Sequence, residues 1–135
     1  MRILLDTNIV LDVLLKREPW VTEAKTVWQA NDDGQIVGYI TASTVTDIFY
    51  IARRIAGLDI ARAAVQTCLK AFEVCVVDRL ALERASALPG DDFEDNLQIA
   101  CAEIARLDAI VTRDPAGFKA TTVAILTPAE TLARL

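Results

Sequence analysis

The sequence predicts an α/β fold with three layers, in which helices cover both faces of a central, mainly parallel sheet. Short apolar segments alternate with longer amphipathic segments along the whole chain. The apolar segments lack the polar alternation of strands that face water on one side, which indicates strands buried on both faces. No repeat, linker or low-complexity segment divides the 135 residues, of which 53% are hydrophobic, so we expect a single domain over residues 1–135.

The first elements are predicted to be one strand and two helices. The run from Arg2 to Leu5 suits a short buried strand, and apolar positions recur at helical spacing from Ile9 to Leu15. Pro19 suits the first turn of a helix, where a missing N–H costs nothing, and it predicts the start of the second helix. The polar run "NDDG" ends that helix.

The next elements are predicted to be a strand followed by two helices. The segment "IVGYIT" is typical of a strand, and it is followed by Ser43 and Thr44, whose hydroxyl groups can cap a helix. This helix runs to about Gly57, a residue suited to a helix C-terminus. Asp59 is then predicted to cap a further helix that runs to about Phe72.

The second half of the chain continues the alternation, as expected for parallel strands joined by crossover helices. Its predicted elements are, in order, a strand at 74–77 ("VCVV"), a helix at 79–88 ended by Pro89-Gly90, a helix from Asp92 through Leu107, a strand at 109–112, a strand at 123–126, and a helix at 128–135 with Pro128 in its first turn.

The composition excludes several kinds of active site. The chain has no histidine, which removes serine triads, Cys/His nucleophiles and histidine-based zinc sites. Its cysteines, Cys68, Cys75 and Cys101, form no CxxC pair and are expected to be reduced core thiols. The formal net charge of −5 argues against a broad basic face for nucleic acid, but not against a nuclease whose carboxylates bind a cation. No apolar run approaches the roughly 18 residues of a membrane span, and no signal peptide is evident, so we expect a cytoplasmic protein.

Four aspartates are placed by the predicted topology at one edge of the sheet. Asp6 ends the first strand, and Asp47 lies in the predicted first turn of the helix after the second strand. Asp114 follows the fourth strand, and Asp95 lies in the first turn of the helix that leads into that strand. A helix that returns to start a parallel strand must begin at the opposite edge, so all four carboxylates should gather beyond the carboxyl ends of the strands, where ligands bind in such sheets.

Each of these aspartates also has a purely structural explanation. The explanations are a helix cap for Asp6, a capping box for Thr44 with Asp47, a helix N-terminus for Asp92 and Asp95, and a turn for Asp114 before Pro115. Two carboxylates about 4 Å apart repel by roughly 4 kcal/mol at an effective dielectric constant near 20, however, so four together require a compensating cation. Oxygen ligands without histidine or paired thiols favour Mg²⁺ or Mn²⁺ over zinc. Such an ion permits hydrolysis of a phosphodiester without a histidine.

Three segments resemble successive motifs of the PIN domain family: "LLDTNIVLDVLL", "TDIFYIARR" and "DFEDNLQIACAEIARLDAIVTRDPAGF". They span nearly the whole chain in the family's order. The resemblance implies a PIN-like α/β/α fold and a metal-dependent endoribonuclease that acts on RNA. It also implies a VapC-type toxin of a type II toxin–antitoxin pair, with an antitoxin as partner, and a homodimer. Apolar residues in excess of what a core needs lie near Val45, Ile48, Phe49 and Ile60 and are consistent with a dimer.

The resemblance also implies roles for individual residues. The first, third and fourth acidic ligands of the family fall on Asp6, Asp95 and Asp114 of this sequence. The second falls on Asp47, where the family commonly has glutamate, so contact with the metal through a water is as consistent as direct ligation. Asn8 is implied to orient Asp6 by hydrogen bonding, and Thr112 is implied to place a hydroxyl near the metal or phosphate.

Other polar residues near these motifs have weaker assignments. The acids Asp12, Asp91, Asp92 and Glu94 are expected to be solvated or one step removed from the metal, with Asp92 the one that could touch it. The basic residues Arg53, Arg54, Arg113 and Lys119 could meet the RNA backbone or simply form a solvated face. Trp20 is expected in the core or at an interface.

Two other interpretations stay open at this level. "DTNIV" and "GDDFED" approximate motifs of haloacid-dehalogenase-like phosphatases, but that class needs a second aspartate where Asn8 stands, and its second motif should follow a strand. The other alternative is a catalytically degenerate PIN fold that acts only as a binding module.

Overall fold

The structure is a computed structural model that describes all of residues 1–135. Its fold has one five-stranded sheet at its centre. Its strands are β1 (Arg2–Leu5), β2 (Val37–Thr41), β3 (Glu73–Cys75), β4 (Ala109–Val111) and β5 (Ala124–Leu126). All four pairings are parallel, and the strand order is β3-β2-β1-β4-β5. The prediction of a mainly parallel sheet is therefore confirmed.

Seven helices accompany the sheet. They are α1 (Thr7–Leu14), α2 (Val21–Asp32), α3 (Ala42–Ala56), α4 (Leu58–Ala71), α5 (Arg79–Ala87), α6 (Phe93–Ile104) and α7 (Pro128–Ala133). None of them is long and apolar enough to cross a membrane.

The side chains of β1 alternate between two separate hydrophobic cores. Ile3 and Leu5 belong to a core that includes residues of α1 to α4, whereas Leu4 belongs to a second core with residues of α5 and α6. All three side chains are at most 2% exposed. A sheet with a hydrophobic core on each face is the middle of three layers, so the predicted α/β/α architecture is confirmed.

The order in which strands are added to the sheet changes direction after β3, which leaves β1 and β4 as neighbours. From β1 it builds outward through β2 to β3, and it then crosses back to add β4 on the other side of β1. The carboxyl ends of β1 and β4 are consequently adjacent, with connections leaving in opposite directions, and such a switch point leaves a crevice for a ligand.

Several helix starts differ from those predicted. α1 begins at Thr7, two residues earlier than expected, and α2 begins at Val21, because Pro19 belongs to a preceding turn in which Val21 N–H donates to Arg17 O. The α3 cap is Thr41, whose Oγ1 accepts from the N–H of Thr44 at 3.1 Å. The helix therefore starts before the predicted caps at Ser43 and Thr44.

The starts and ends of the later elements follow the backbone conformation. Gly57, with φ of +94°, ends α3 and begins α4, so Asp59 lies in the first turn and is not the cap. β3 stops at Cys75, and Val76 beyond it is 73% exposed. α6 is capped by Asp92 as predicted, but it ends at Ile104 because Arg106 takes φ of +54° and turns the chain into β4.

Candidate functional site

Asp6 stands at the switch point, and donors on two other elements hold its carboxylate. Its backbone N–H donates to the Val111 carbonyl of β4 at 2.9 Å, which continues the β1–β4 pairing past the end of the strand. Gln98 Nε2 donates to one carboxylate oxygen at 3.0 Å, and Thr112 Oγ1 donates to the other at 2.8 Å. The side chain makes no cap hydrogen bond to α1. Capping therefore does not explain this aspartate.

The four predicted aspartates line one cleft of about 420 Å³, as the topology required. Two further acids, Asp92 and Glu94, line the same cleft. Its remaining lining residues are Thr7, Asn8, Ile51 and Phe118. The cleft therefore brings six carboxylates to the edge of the sheet where β1 and β4 end.

Asp95 projects from the first turn of α6, as predicted. Its backbone N–H donates to Asp92 Oδ1 at 3.0 Å, so the cap fixes the turn that carries it. Desolvation, followed by repulsion from Asp92, Asp6 and Asp114, raises the pKa of Asp95 to about 6. This shift shows that the charges of these carboxylates act on one another across the cleft.

Gly117 lets the loop after β4 approach Asp95. An added Cβ at this position would lie 2.6 Å from Asp95 Oδ2, so the Asp95 carboxylate would have to shift. The loop starts with Asp114 and forms a short 3₁₀ turn over Pro115–Gly117. The glycine in "DPAGF" therefore permits Asp114 and Asp95 to line the same cleft.

Asp47 lies in the second turn of α3, one turn later than predicted, because the helix begins at Ala42. With Thr41 as the cap, the predicted capping box of Thr44 and Asp47 is not formed. A hydrogen bond with Asp47, then desolvation and repulsion from Asp47, Asp6 and Asp92, raises the pKa of Glu94 to about 8. With this pKa, Glu94 keeps its proton at neutral pH while the cleft holds no cation.

Gln98 is a site residue without a predicted role, and Glu94 lies in the cleft itself rather than beside it. Glu94 was expected to be solvated or one step removed from the metal, because a glutamate in a first helical turn ordinarily needs no further explanation. Gln98 is 1% exposed, and a buried amide among the apolar residues of α6, three positions after Asp95, was the available signal. Buried polar groups require partners, and its partner is Asp6.

Two supporting residues have positions that differ from those implied. Asn8 is exposed and makes no side-chain hydrogen bond, so Gln98 and Thr112 orient Asp6 in its place. Thr112 is fully buried, and its hydroxyl accepts from Asp114 N–H at 3.1 Å while it donates to Asp6. It therefore connects Asp6 to Asp114 and does not face the cleft.

The four basic residues proposed for RNA fall into different environments. Arg113 is paired with Asp12. Asp12 was expected to be solvated or one step removed from the metal, and it is instead fully buried and outside the lining of the cleft. Arg54 lies three residues after Ile51 and seven after Asp47, on the face of α3 that lines the cleft, whereas Arg53 lies on the neighbouring face with Phe49 and Tyr50. Lys119 is exposed beside Phe118 of the cleft.

The donor set of the cleft fits a hard divalent cation. Its side chains offer carboxylate oxygens, with neither imidazole nor thiolate nearby. Desolvation first and then repulsion from neighbouring carboxylates raise the pKa of Asp95, so a cation in the cleft would relieve part of this cost. No three acids lie close enough together to hold an ion with their side chains as they are placed. Mg²⁺ suits such a cleft because it keeps several of its waters when bound and takes few protein ligands directly.

The fold and the cleft define the molecule as an α/β/α domain with an acidic site at the switch point of its sheet. The family model of the PIN domain matches residues 2–116, and the chain belongs to this family. This membership removes the phosphatase alternative, whose second motif would in any case have to follow a strand, whereas "GDDFED" follows α5. No curated protein matches the sequence.

Solved structures with the same fold include several toxins. The chain is similar to a toxin–antitoxin complex from Klebsiella pneumoniae, with 24% identity, coverage of 93% of this chain and 96% of that one, and a TM-score of 0.67. It is similar to VapBC from Salmonella typhimurium bound to DNA, with 18% identity, coverage of 95% and 98%, and a TM-score of 0.71. It is also similar to VapC20 of Mycobacterium tuberculosis, a sarcin-ricin loop cleaving toxin, with 18% identity, coverage of 80% and 86%, and a TM-score of 0.67.

The charge excess predicts that Asp95→Asn stabilises the metal-free protein at neutral pH. The pKa of Asp95 is raised from 3.8 to about 6, so the folded protein binds this proton more tightly than the unfolded chain and loses stability as pH rises between these values. In chelator, the variant should match the wild type near pH 4 and exceed it by about 1 kcal/mol at pH 7 in denaturant unfolding. Asp91→Asn, at an exposed acid outside the cleft, is the control and should show no such gain. A variant less stable than the wild type at pH 7 would contradict the expectation.

Proposed function

We propose that this protein is a divalent-metal-dependent endoribonuclease that hydrolyses RNA phosphodiester bonds with Mg²⁺ or Mn²⁺. The observation that carries the proposal is the single cleft lined by six carboxylates, in which Asp6 is oriented by two neutral donors. Membership of the PIN domain family supports a nuclease. The likeness to VapC20, a sarcin-ricin loop cleaving toxin, supports RNA as the substrate.

The residues of the cleft divide the work of such a site. Asp6, Asp95 and Asp114 would hold the cation, which when bound polarises a phosphoryl oxygen and lowers the pKa of a water. Gln98 and Thr112 fix the rotamer of Asp6, and Thr112 also fixes the backbone at Asp114. Glu94, whose pKa is raised to about 8 beside Asp47, is suited to acid–base exchange with a water or leaving group beside the cation.

Two basic residues beside the cleft, Arg54 and Lys119, are proposed to bind the RNA backbone. Arg54 continues the face of α3 formed by Asp47 and Ile51, and Lys119 follows Phe118, so both lie next to the cleft. A phosphate chain that crosses a carboxylate cleft needs cations at its rim, because the cleft itself repels it. Arg113 is not available for this purpose, since it is paired with Asp12.

We also propose that the protein is the toxin of a type II toxin–antitoxin pair and acts in the cytoplasm. Relatives of this fold are described as toxin–antitoxin complexes, and the alignments cover at least 93% of this chain and of each of those chains. An exposed apolar groove between α3 and α4 offers a surface for protein partners. It is lined by Val45, Thr46, Phe49, Tyr50 and Val65.

A homodimer is proposed through the same pair of helices. Tyr50, Ile55 and Ile60 are 50% to 64% exposed on α3 and α4, in agreement with the apolar excess seen in the sequence. Ile48, one of the residues on which the dimer was predicted, is fully buried in the core and does not belong to this surface.

Removal of the metal and substitution of the aspartates together test the nuclease proposal. A chelator should stop RNA cleavage by the purified protein, and Mg²⁺ or Mn²⁺ should restore it better than Zn²⁺. Asp6→Asn and Asp95→Asn should each lower cleavage by about a hundredfold or more while preserving the fold, and Asp47→Asn should cause a smaller loss. Asp91→Asn serves as the matched control, with cleavage unchanged. Induced expression should arrest bacterial growth for the wild type and not for Asp6→Asn.

The outcomes separate the competing interpretations. Full activity in chelator would exclude the metal mechanism, and activity retained in both Asp95→Asn and Asp47→Asn would exclude the carboxylate mechanism. If Asp47→Asn abolished cleavage while Asp95→Asn did not, the two sites would be ranked in the wrong order. A folded protein that binds Mn²⁺ and cleaves no RNA would indicate the degenerate binding module.

The adjacent arginines of α3 provide a matched test of RNA contact. Arg54→Gln should raise KM for RNA about threefold to tenfold, because one phosphate contact is lost while the carboxylates are unchanged. Arg53→Gln removes the same charge from the neighbouring face and should leave KM nearly unchanged. The comparison is made in initial-rate assays at two salt concentrations, and equal effects of the two variants would reject the assignment of Arg54.

The dimer proposal is tested by sedimentation of the purified protein at tens of micromolar. We expect a dimer, and Tyr50→Asp with Ile60→Asp should shift it to monomer, because charges at a buried contact are costly. Leu82→Asp, an equally apolar position 42% exposed on α5, is the control and should remain dimeric. A monomeric wild-type protein would contradict the proposal.

A further inference from the structure

A second carboxylate site lies behind the loop that carries Asp114. Asp12 of α1 is fully buried, and two arginines surround it. Arg17 Nε lies 3.3 Å from Asp12 Oδ1, and Arg113 Nε lies 3.0 Å from Asp12 Oδ2. Arg113 Nη2 also donates a 3.4 Å hydrogen bond to Oδ1. Asp12 does not line the carboxylate cleft, so the proposed chemistry does not use it.

Arg113 is fixed on a second side by an aromatic ring. Its guanidinium carbon lies 3.8 Å from the centre of the Trp20 ring, a cation–π contact. The side chain is 25% exposed although it carries a full charge. Asp12 and Trp20 thus restrict one arginine from two directions.

Because of its position in the chain, the restraint on Arg113 affects the carboxylate cleft. Its preceding residue, Thr112, donates to Asp6, and its following residue, Asp114, lines the cleft and donates its N–H to Thr112. A shift of the Arg113 backbone therefore moves two groups of the site. Asp12 in turn belongs to the helix that starts directly after Asp6.

The ion pairs themselves do not account for the retention of a buried charge here. Burial raises the pKa of Asp12, and this effect exceeds the opposing attraction of Arg113 and Arg17. Buried ion pairs often contribute no more to stability than apolar side chains of the same size. Beyond any stability, the contacts with Asp12 and Trp20 fix the position of Arg113.

We propose that the Asp12–Arg113 pair, with Trp20 stacked on Arg113, is a positioning device that holds Thr112 and Asp114 at the distance from Asp6 that cation binding requires. The inference rests on the proposed metal site. It assigns Arg113 to the orientation of the cleft from behind, in place of contact with RNA. Arg17 contacts the same carboxylate but carries no group of the cleft on either side of it in the chain, so it stabilises Asp12 without a positioning role.

Two charge-preserving variants of the full chain test this device. Arg113→Lys and Arg17→Lys both keep a positive charge, so the electrostatic potential in the cleft is nearly unchanged. Lysine lacks the planar group that in Arg113 reaches both carboxylate oxygens of Asp12 and stacks on Trp20. Mn²⁺ affinity is measured by titration calorimetry well below the unfolding temperature of each variant. We expect Arg113→Lys to weaken Mn²⁺ binding about tenfold or more, and Arg17→Lys to change it less than about twofold.

Two further variants approach the same contact from its other partners. Asp12→Asn should weaken Mn²⁺ binding as Arg113→Lys does, and the double variant should be no weaker than either, because both remove one interaction. Trp20→Leu leaves the ion pair in place and should produce a smaller shift in the same direction. It also serves as the test if Arg113→Lys does not fold. In RNA cleavage at fixed Mn²⁺, Arg113→Lys should lower kcat and leave KM for RNA unchanged.

The results distinguish this inference from the proposed function. Equal Mn²⁺ affinities for Arg113→Lys and Arg17→Lys, or no shift in Trp20→Leu, would overturn the positioning role while the metal site stands. A raised KM for RNA with unchanged Mn²⁺ affinity would overturn it in favour of RNA contact. A wild-type protein that binds no Mn²⁺ would overturn both the metal site and the inference.

Discussion

Repulsion among the carboxylates at one edge of the sheet is the constraint on which the arrangement of the site depends. Desolvation first and then this repulsion raise the pKa of Asp95, and a hydrogen bond with Asp47, desolvation and repulsion raise that of Glu94. Holding six carboxylates in a single cleft therefore costs free energy. The hydrophobic cores on the two faces of the sheet offset that cost, since Ile3, Leu4 and Leu5 fix the strand that ends at Asp6. The hydrophobic cores thus hold in place carboxylates that would move apart without them.

The local geometry of the cleft follows from the same requirement. Asp92 caps the helix that carries Asp95, and Thr112 joins Asp6 to the backbone at Asp114. Gly117 lets the Asp114 loop lie against the Asp95 carboxylate, which an added Cβ would displace. Each of these residues fixes backbone or rotamer without adding a positive charge to the cleft, so its negative potential is preserved.

The sequence predicted the sheet and the meeting of the four aspartates because both depend on topology. Parallel strands place their carboxyl ends together, and this holds even where a helix starts two residues from its predicted position. Contacts between side chains that are distant in the chain were less predictable. Gln98, 92 positions from Asp6, carries no motif that reports its partner. Glu94 resembled an ordinary first-turn acid, and Asn8 was assigned a hydrogen bond that Gln98 and Thr112 make instead.

The two carboxylates at the ends of α1 show how compensation decides what a buried acid can do. Asp12 faces the guanidinium groups of Arg17 and Arg113, and its charge is cancelled by full positive charges. Asp6 faces the amide of Gln98 and the hydroxyl of Thr112, which orient it but leave its charge uncancelled. A cation would gain little at the first carboxylate and much at the second. Arg113 stands between Thr112 and Asp114 in the chain, and Thr112 donates to Asp6. The neutralised carboxylate of Asp12 is therefore connected to the uncompensated carboxylate of Asp6, and the fixed Asp12–Arg113 contact can restrain the loop that carries Asp114.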